Sequence, residues 1–345
     1  MLAAALNPKQ DDANIYSLEA YGGTGKTFCL ATILSELRGK EKIAIVMAIS
    51  AQAATLLEGG TTVHSKMKVA IDLDGIEKEF SPNSAIAKVI TEASLLIVDE
   101  YTLGDKRLYE IIDRKFRKLM KNNIPFGGKV MLFSGDWSQC LPIVPNGDRA
   151  DIVGQTMKAS YLWDYVQQLR LEENMRIKNA NADDKEFNQY LLDLGQGKLQ
   201  TYPEIEEYMI KIPEQMKSKT KNRKEFCEEI FPNLGERIEA GFRDRDINEN
   251  WSKWVHKRAI ICARNDDCQE INRICVDMMK GKPHVYRSAD KVVNANSKSQ
   301  AVPVEFLNSQ TPSGCPDHCI VLKEGAPIIL LRNMNKKKGH VNGAR

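Results

Sequence analysis

The residues with the most chemistry to offer run from Ala20 to Thr27, in the order Ala20-Tyr21-Gly22-Gly23-Thr24-Gly25-Lys26-Thr27. Glycines at 22, 23 and 25 allow backbone N–H groups to turn inward around an anion. Lys26 is then set to reach the β- and γ-phosphates of a nucleotide, and the Thr27 hydroxyl to hold Mg²⁺. One position departs from the phosphate-loop pattern, because Ala20 stands where the first glycine is usual. That glycine mainly eases the turn, and everything after it is intact. An ordinary glycine-rich turn does not account for the Lys26–Thr27 pair. Gly22, Gly23, Thr24, Gly25, Lys26 and Thr27 are therefore the expected nucleotide-binding residues.

Two further segments supply what hydrolysis would need. Leu95-Leu96-Ile97-Val98-Asp99-Glu100 is an apolar strand ending in two acids, about 70 residues after the phosphate loop. Asp99 is placed to complete a metal site with Thr27, and Glu100 to activate a water. An acidic strand end alone is common; after a phosphate loop it argues for hydrolysis rather than binding alone. Gly135-Asp136-Trp137-Ser138-Gln139-Cys140-Leu141-Pro142 follows a third strand-like run. Gln139 is the candidate sensor of the γ-phosphate, supported by Asp136; the bland alternative is a turn stabilised by Asp136. Trp137 is a candidate for stacking on a nucleobase, against an equally good reading as a buried or edge tryptophan.

These residues need a scaffold that brings strand ends together. Ile43–Ala48, Ser94–Val98 and Lys129–Ser134 are short and apolar on both faces, as strands of a helix-covered parallel sheet are. Phe28–Arg38 reads as a helix after the loop. Leu108, Ile112, Phe116 and Leu119 recur at helical spacing opposite Arg114, Arg117 and Lys118, and Asn122 to Gly128 breaks that helix. This is a doubly wound α/β pattern. From 180 to 255 the chain is charged and carries Pro203, Pro213 and Pro232, as a mostly helical linker or insertion would. Arg258–Ala263, Cys319–Lys323 and Pro327–Leu331 read as strands, and Asp266–Lys280 as a helix with acids in its first turn. The domains expected are 1–178, a helical segment 179–255, and a second α/β domain from 256 to 345.

With 345 residues, 42% hydrophobic and 28% charged, the composition is that of a soluble globular protein of about two domains. No apolar run reaches the ~18 residues of a membrane-spanning helix, and the first residues lack the basic and apolar regions of a signal peptide. The net charge of +3 says little, but basic residues cluster at Arg114–Lys121, Lys217–Lys224 and Lys336–Lys338. Each cluster is as well explained by a solvated surface as by phosphate contact. The eight cysteines form no CxxC pair. Cys315-Pro316-Asp317-His318-Cys319 lacks a second ligand pair at zinc-ribbon spacing, so the set reads as reduced thiols of an intracellular protein.

The three chemical segments, in this order, resemble the superfamily 1B DNA helicases, the RecD-like group, and most closely the petite-integration-frequency (Pif) helicases. Other matches run along the chain. Leu6–Gln10 resembles the Q motif, whose glutamine, here Gln10, reads adenine. Gly59–Ser65 resembles a motif that touches DNA, which implies DNA contacts at His64 and Ser65. Leu171–Arg176 resembles motif IV, whose arginine, here Arg176, acts as a finger on the γ-phosphate; a surface salt bridge is the bland reading. An arginine suits that role because its charge is permanent and its fork matches phosphate oxygens. Arg258–Asn272 resembles the start of a second RecA-like domain. Val304–Asn308, Leu330–Asn333 and Val341–Arg345 are like the eukaryotic Pif and Helitron-transposon helicases.

The resemblance implies two RecA-like P-loop domains with parallel sheets, ATP and Mg²⁺ as cofactors, single-stranded DNA as partner, and 5′-to-3′ movement. It implies roles in DNA replication, repair, recombination or telomere maintenance, with replication or repair proteins as partners, in the nucleus or mitochondrion. The alternatives are the helicase module of a Helitron-type transposase, which would carry a nuclease domain, a P-loop ATPase acting on proteins, and a non-catalytic nucleic-acid-binding remnant. Two departures stand out. Only eleven residues separate Gln10 from Gly22, fewer than the family's helix plus strand. The family's glutamine-glycine DNA-contact motif and final arginine motif have no counterpart before Arg345, so the second domain is expected to be truncated.

Overall fold

Alternate residues of the central strands are buried on opposite sides, which is what places a sheet between two layers of helix. In β4 (Leu95–Asp99), Leu96 and Val98 join one core with Ile45, Met47, Met131 and Phe133, while Leu95 and Ile97 join the other with Val46, Leu18 and Leu132. Full burial of such side chains contributes roughly 1.5–3 kcal/mol each. The computed structural model describes residues 14–70, 73, 79–139, 141–178, 181–206, 209–241, 249–290, 303–310, 316–332, 334–335, 338–340 and 344, with the backbone alone at 239–241 and 249–250. They fall in two units, Met1–Tyr208 and Met209–Arg345.

The first unit carries a six-stranded sheet. Its strands are β1 (Ile15–Ala20), β2 (Ala44–Ala48), β3 (Thr61–Thr62), β4, β5 (Met131–Gly135) and β6 (Val166–Leu171), in the spatial order β3-β2-β4-β5-β1-β6. Every pairing is parallel. The register sets Glu19 beside Gly135 and Asp99 beside Ser134, so the carboxyl ends of β1, β4 and β5 lie level. In such sheets the carboxyl edge is where ligands bind.

Its helices are α1 (Lys26–Gly39), α2 (Ala51–Thr55), α3 (Val63–Met67), α4 (Ala85–Glu92), α5 (Lys106–Met120), α6 (Arg149–Gln155) and α7 (Ala182–Gly195). Leu30, Ile33 and Leu34 of α1 cover one face; Leu108, Tyr109, Ile112 and Phe116 of α5 cover the other. α5 begins at Asp105, whose carboxylate accepts from the Arg107 backbone N–H, and ends at Lys121 in the left-handed region. Three strands were legible as apolar runs, and three were not. β1 carries Ser17 and Glu19, yet it is central; Ser17 is fully buried and its hydroxyl shares a 2.8 Å hydrogen bond with Tyr101. β6 is an edge strand with Gln167, Gln168 and Arg170 exposed, and β3 has two residues.

The basic runs are largely spoken for. Of Arg114–Lys121, Lys115 is buried and donates to Met67 O at 2.8 Å, Arg117 pairs with Asp113, and Lys118 pairs with Glu79. In the second unit Lys217 pairs with Glu214, Lys224 with Glu228, and Arg223 with Asp267 and Glu270. Lys336 and Lys337 lie outside the described residues.

The second unit contains α8 (Arg223–Ile230), α9 (Leu234–Gly241), α10 (Glu249–His256), α11 (Asn265–Met278), α12 (Val304–Asn308) and the antiparallel pair β7 (His284–Arg287) and β8 (Cys319–Leu322). Leu234, Ile238, Trp251, Val255 and Met279 form its core. α11 and β8 lie where the sequence predicts them. Arg258–Ala263 and Pro327–Leu331 do not form strands. A strand needs a ladder of bonds to a neighbour to satisfy its backbone; the Leu330 N–H donates to Ala344 O at 2.9 Å without such a ladder, and Arg258 folds back over the Trp254 ring and donates to Trp254 O at 2.9 Å. No parallel sheet is found among the described residues of this unit. Among the described residues of the chain, no helix is long and apolar enough to cross a membrane.

Candidate nucleotide-binding site

The turn from β1 to α1 forms the floor of the site. Gly23 and Gly25 adopt φ of +91° and +88°, the region open to glycine at little cost. Ala20 does not; it is the last residue of β1, paired with Leu171, so a side chain there costs nothing. Thr24 is buried and closes the turn by donating to Tyr21 O at 2.7 Å. Gly25 caps α1 with no side chain in the way, leaving the first N–H groups of a fourteen-residue helix facing the loop. Thr27 is exposed on the first turn.

The acids meet the loop at Lys26. Its Nζ lies 2.6 Å from Glu100 Oε1 and 3.0 Å from Asp99 Oδ1. Burial by itself would lower the Lys26 pKa, but Asp99 and Glu100 together outweigh it and hold the ammonium above its ordinary value. Asp99 is 2% exposed, and its Oδ1 also accepts from Ser134 Oγ at 2.8 Å and from the Glu100 N–H at 2.9 Å. Glu100 has φ +55° and ψ +35°, a left-handed conformation that costs a non-glycine residue about 1–2 kcal/mol. Strain of this kind at a strand's carboxyl end bends the chain so that the Glu100 carboxylate faces Lys26 instead of continuing the strand.

The donor set suits Mg²⁺ bound to a nucleotide. That ion commonly takes only one or two protein oxygens and fills its octahedron with phosphates and water. The Thr27 hydroxyl and the buried, oriented Asp99 carboxylate are such oxygens.

Gln139 follows β5 at the same edge. Its Nε2 donates to Asp136 Oδ2 at 3.1 Å, while Asp136 Oδ1 accepts from the Ser138 N–H and hydroxyl at 2.9 and 2.6 Å. Asp136 is 3% exposed, so Gln139 is an exposed side chain held by a buried anchor. Trp137 is half-buried. Its ring packs edge-on against Tyr101 and Trp163, and Lys158 Nζ lies 4.3 Å from its centre. His64 lies on α3, its Nδ1 3.1 Å from Ala70 O, with Ser65 exposed beside it. Gln10 lies outside the described residues.

Arg176 stands against the phosphate loop itself. The Met175 N–H donates to Gly23 O at 2.9 Å, and a Cβ built on Gly23 would sit 3.2 Å from Arg176 Cδ. The parallel pairing of β6 with β1 brings the two segments together, since both leave the same sheet edge. Three contributors escaped sequence reasoning: Ser134, which orients Asp99, Asn174, which lies on Gly23, and Lys115, whose ammonium fixes the end of α3. A signal existed for Ser134, a lone polar residue closing the apolar run Met131-Leu132-Phe133.

Residues 5–204 match the family PIF1-like helicase. The chain belongs to that family. Residues 305–345 further match the 2B domain of DNA helicase Pif1. The zebrafish (Danio rerio) ATP-dependent DNA helicase PIF1 is 22% identical over 344 residues, 99% of this chain and 45% of that protein. The Saccharomyces cerevisiae ATP-dependent DNA helicase RRM3 is 34% identical over 137 residues, 38% of this chain and 18% of that protein. This PIF1-like chain thus spans less than half the length of either relative. The crystal structure of Bacteroides Pif1 bound to ssDNA superposes over 97% of this chain and 65% of that one, with a TM-score of 0.59 at 21% identity. That of Candida albicans Pif1 gives 0.58 at 22%, over 96% and 64%. The likeness to both is one of fold, and it includes the RecA-like sheet.

Proposed function

We propose that the chain is the ATP-driven motor portion of a DNA helicase that moves along single-stranded DNA in the 5′-to-3′ direction. The observation that carries this reading is Lys26 Nζ, set between Asp99 and Glu100 at the carboxyl edge of a parallel sheet in a PIF1-like chain. Relatives named as ATP-dependent DNA helicases and neighbours solved with ssDNA and with ADP-AlF3 support the substrates. In the nucleus or mitochondrion such a motor would serve replication, repair or recombination.

On binding ATP, Lys26 exchanges its carboxylate partners for the β- and γ-phosphates, and the N–H groups of the loop and of α1 surround the remaining oxygens. Mg²⁺, when bound, offsets phosphate charge, with Thr27 and Asp99 holding it. Release of Lys26 leaves the Glu100 carboxylate to take a proton from the attacking water. Gln139 senses the γ-phosphate from its Asp136 anchor, and Arg176 neutralises charge developing on the transferred oxygens. Gln10 reads adenine, and His64 and Ser65 contact DNA.

The test is ATP hydrolysis with and without single-stranded DNA, for the parent and for Lys26→Ala. DNA-stimulated hydrolysis lost in Lys26→Ala, with DNA binding largely kept, is the expected result. Hydrolysis indifferent to DNA would point to an ATPase acting on protein, and no hydrolysis in the parent to a nucleic-acid-binding remnant; either sinks the proposal.

A further inference from the structure

We infer that Asn174 is a positioning residue that locks the phosphate loop and Arg176 into one unit, so that the loop's conformation sets where the arginine stands. The inference rests on the reading of Arg176 as the residue that meets the γ-phosphate.

Three contacts of one amide carry it. Asn174 Oδ1 accepts the Arg176 backbone N–H at 3.0 Å, an Asx turn that fixes the direction in which the chain presents Arg176. Asn174 Nδ2 donates to Asn188 Oδ1 on α7 at 2.7 Å. The amide lies directly on Gly23, where a Cβ would stand 2.5 Å from Asn174 Oδ1 and 3.1 Å from its Cγ. The orientation of the amide follows from chemistry. A backbone N–H can only donate, so the atom facing Arg176 is the oxygen, the nitrogen faces Asn188, and Asn188 must present its own oxygen. The backbone bond from the Met175 N–H to Gly23 O closes the unit from the other side.

Gly23 is thus glycine for two independent reasons, its φ of +91° and the amide seated on it. The loop cannot change course at Gly23 without moving Asn174, and Asn174 cannot move without releasing the Arg176 backbone. Asn188 on α7 holds the far end of the amide, so α7 belongs to the same assembly. An alanine at 174 leaves the Arg176 side chain chemically intact but lets its backbone wander. A serine keeps an acceptor for the Arg176 N–H in a weaker turn of the same form and loses the donor to Asn188.

The experiment measures Mg²⁺-dependent affinity for ADP and for ADP–aluminium fluoride, a mimic of the transferring phosphoryl group, on the whole chain with a single-stranded oligonucleotide present. Parent, Asn174→Ala, Asn174→Ser, Arg176→Ala and the Asn174→Ala/Arg176→Ala double variant are compared, with melting temperatures. An arginine–phosphoryl contact corresponds to a factor on the order of tenfold or more. The expected result is that Asn174→Ala loses most of the preference for the mimic over ADP that Arg176→Ala loses, keeps the parent's melting temperature, and adds nothing in the double variant. Asn174→Ser should recover part of the preference. Such non-additivity marks residues acting as one. Equal mimic preference in Asn174→Ala and parent, an additive double variant, or a loss of ADP affinity and melting temperature in step with the mimic would overturn the inference while leaving the role of Arg176 standing. Parent-like mimic binding in Arg176→Ala would overturn that role, and the inference with it.

Discussion

Lys26 Nζ stands 2.6 Å from Glu100 Oε1, and Glu100 reaches it only by adopting a left-handed backbone. The ammonium therefore restrains the carboxylate proposed as the base, and the arrival of phosphates to draw it away is what frees that base. Glu100→Gln keeps the size and the loop but not the proton acceptor. ATP and Mg²⁺ should bind as in the parent, with Asp99 intact, while hydrolysis falls by about 10²-fold or more. Binding and hydrolysis measured side by side check this; their joint loss would make Glu100 a structural residue.

The same cluster sets a pH expectation. The Lys26 pKa is raised in the folded protein above an ordinary value of 10.5. Its ion pairs thus contribute in full below the unfolded value and are lost only as pH rises through the still higher folded value. Between pH 6 and 9 the melting temperature should differ between parent and Lys26→Met by a constant amount. A difference that shrinks within that range would show that Lys26 deprotonates there.

Arg176 lies beside Gly23 in the first unit. Arg176→Ala should therefore lower DNA-stimulated turnover by on the order of 10³-fold, the scale of an arginine finger, with ATP affinity little changed. Steady-state rates of ATP hydrolysis with single-stranded DNA check it, and an unchanged stimulated rate would remove Arg176 from the mechanism.

Single-stranded DNA should bind better than duplex and weaken with salt, with a log–log slope of roughly −0.7 per phosphate contacted. Because the runs at Arg114–Lys121 and Lys217–Lys224 are largely engaged by acids or backbone carbonyls, the slope should reflect a few contacts. A titration from low to moderate salt measures it; a flat response would exclude binding through the DNA backbone.

Stability depends on a buried carboxylate that catalysis does not use. Asp113 is 0% exposed and accepts from the Tyr161 hydroxyl at 2.6 Å, from the Phe126 N–H at 2.5 Å and from Arg117 Nε at 2.8 Å. Burial and the Asp113 hydrogen bond push the Tyr161 hydroxyl pKa well up, so the phenol stays a donor. Asp113→Ala leaves the buried Phe126 N–H without its acceptor, while the Tyr161 hydroxyl and the Arg117 guanidinium can turn to solvent, and should destabilise the first unit by about 1–3 kcal/mol. Urea unfolding checks it, and a loss below 1 kcal/mol would mean that water replaces the carboxylate.

The chemistry was legible in the sequence because its residues are contiguous: Gly22 to Thr27, Leu95 to Glu100, and Gly135 to Gln139 each keep their spacing whatever the fold. The apolar runs β2, β4 and β5 were legible for a similar reason, since a strand covered on both faces is apolar along most of its length. β1 and β6 were not. Ser17 in β1 is buried only because Tyr101, 84 residues away, satisfies it, and β6 is polar because it is an edge. Pairing β6 with β1 is a long-range event, and it alone puts Asn174 on Gly23 and Arg176 beside the phosphate loop. Likewise, sequence named Lys26, Asp99 and Glu100 separately, but the meeting of all three waited on parallel register and on the left-handed turn at Glu100. Local spacing fixes which groups exist on each segment. Which of them touch depends on backbone hydrogen bonds between segments far apart in the chain, and only the tertiary structure settles that.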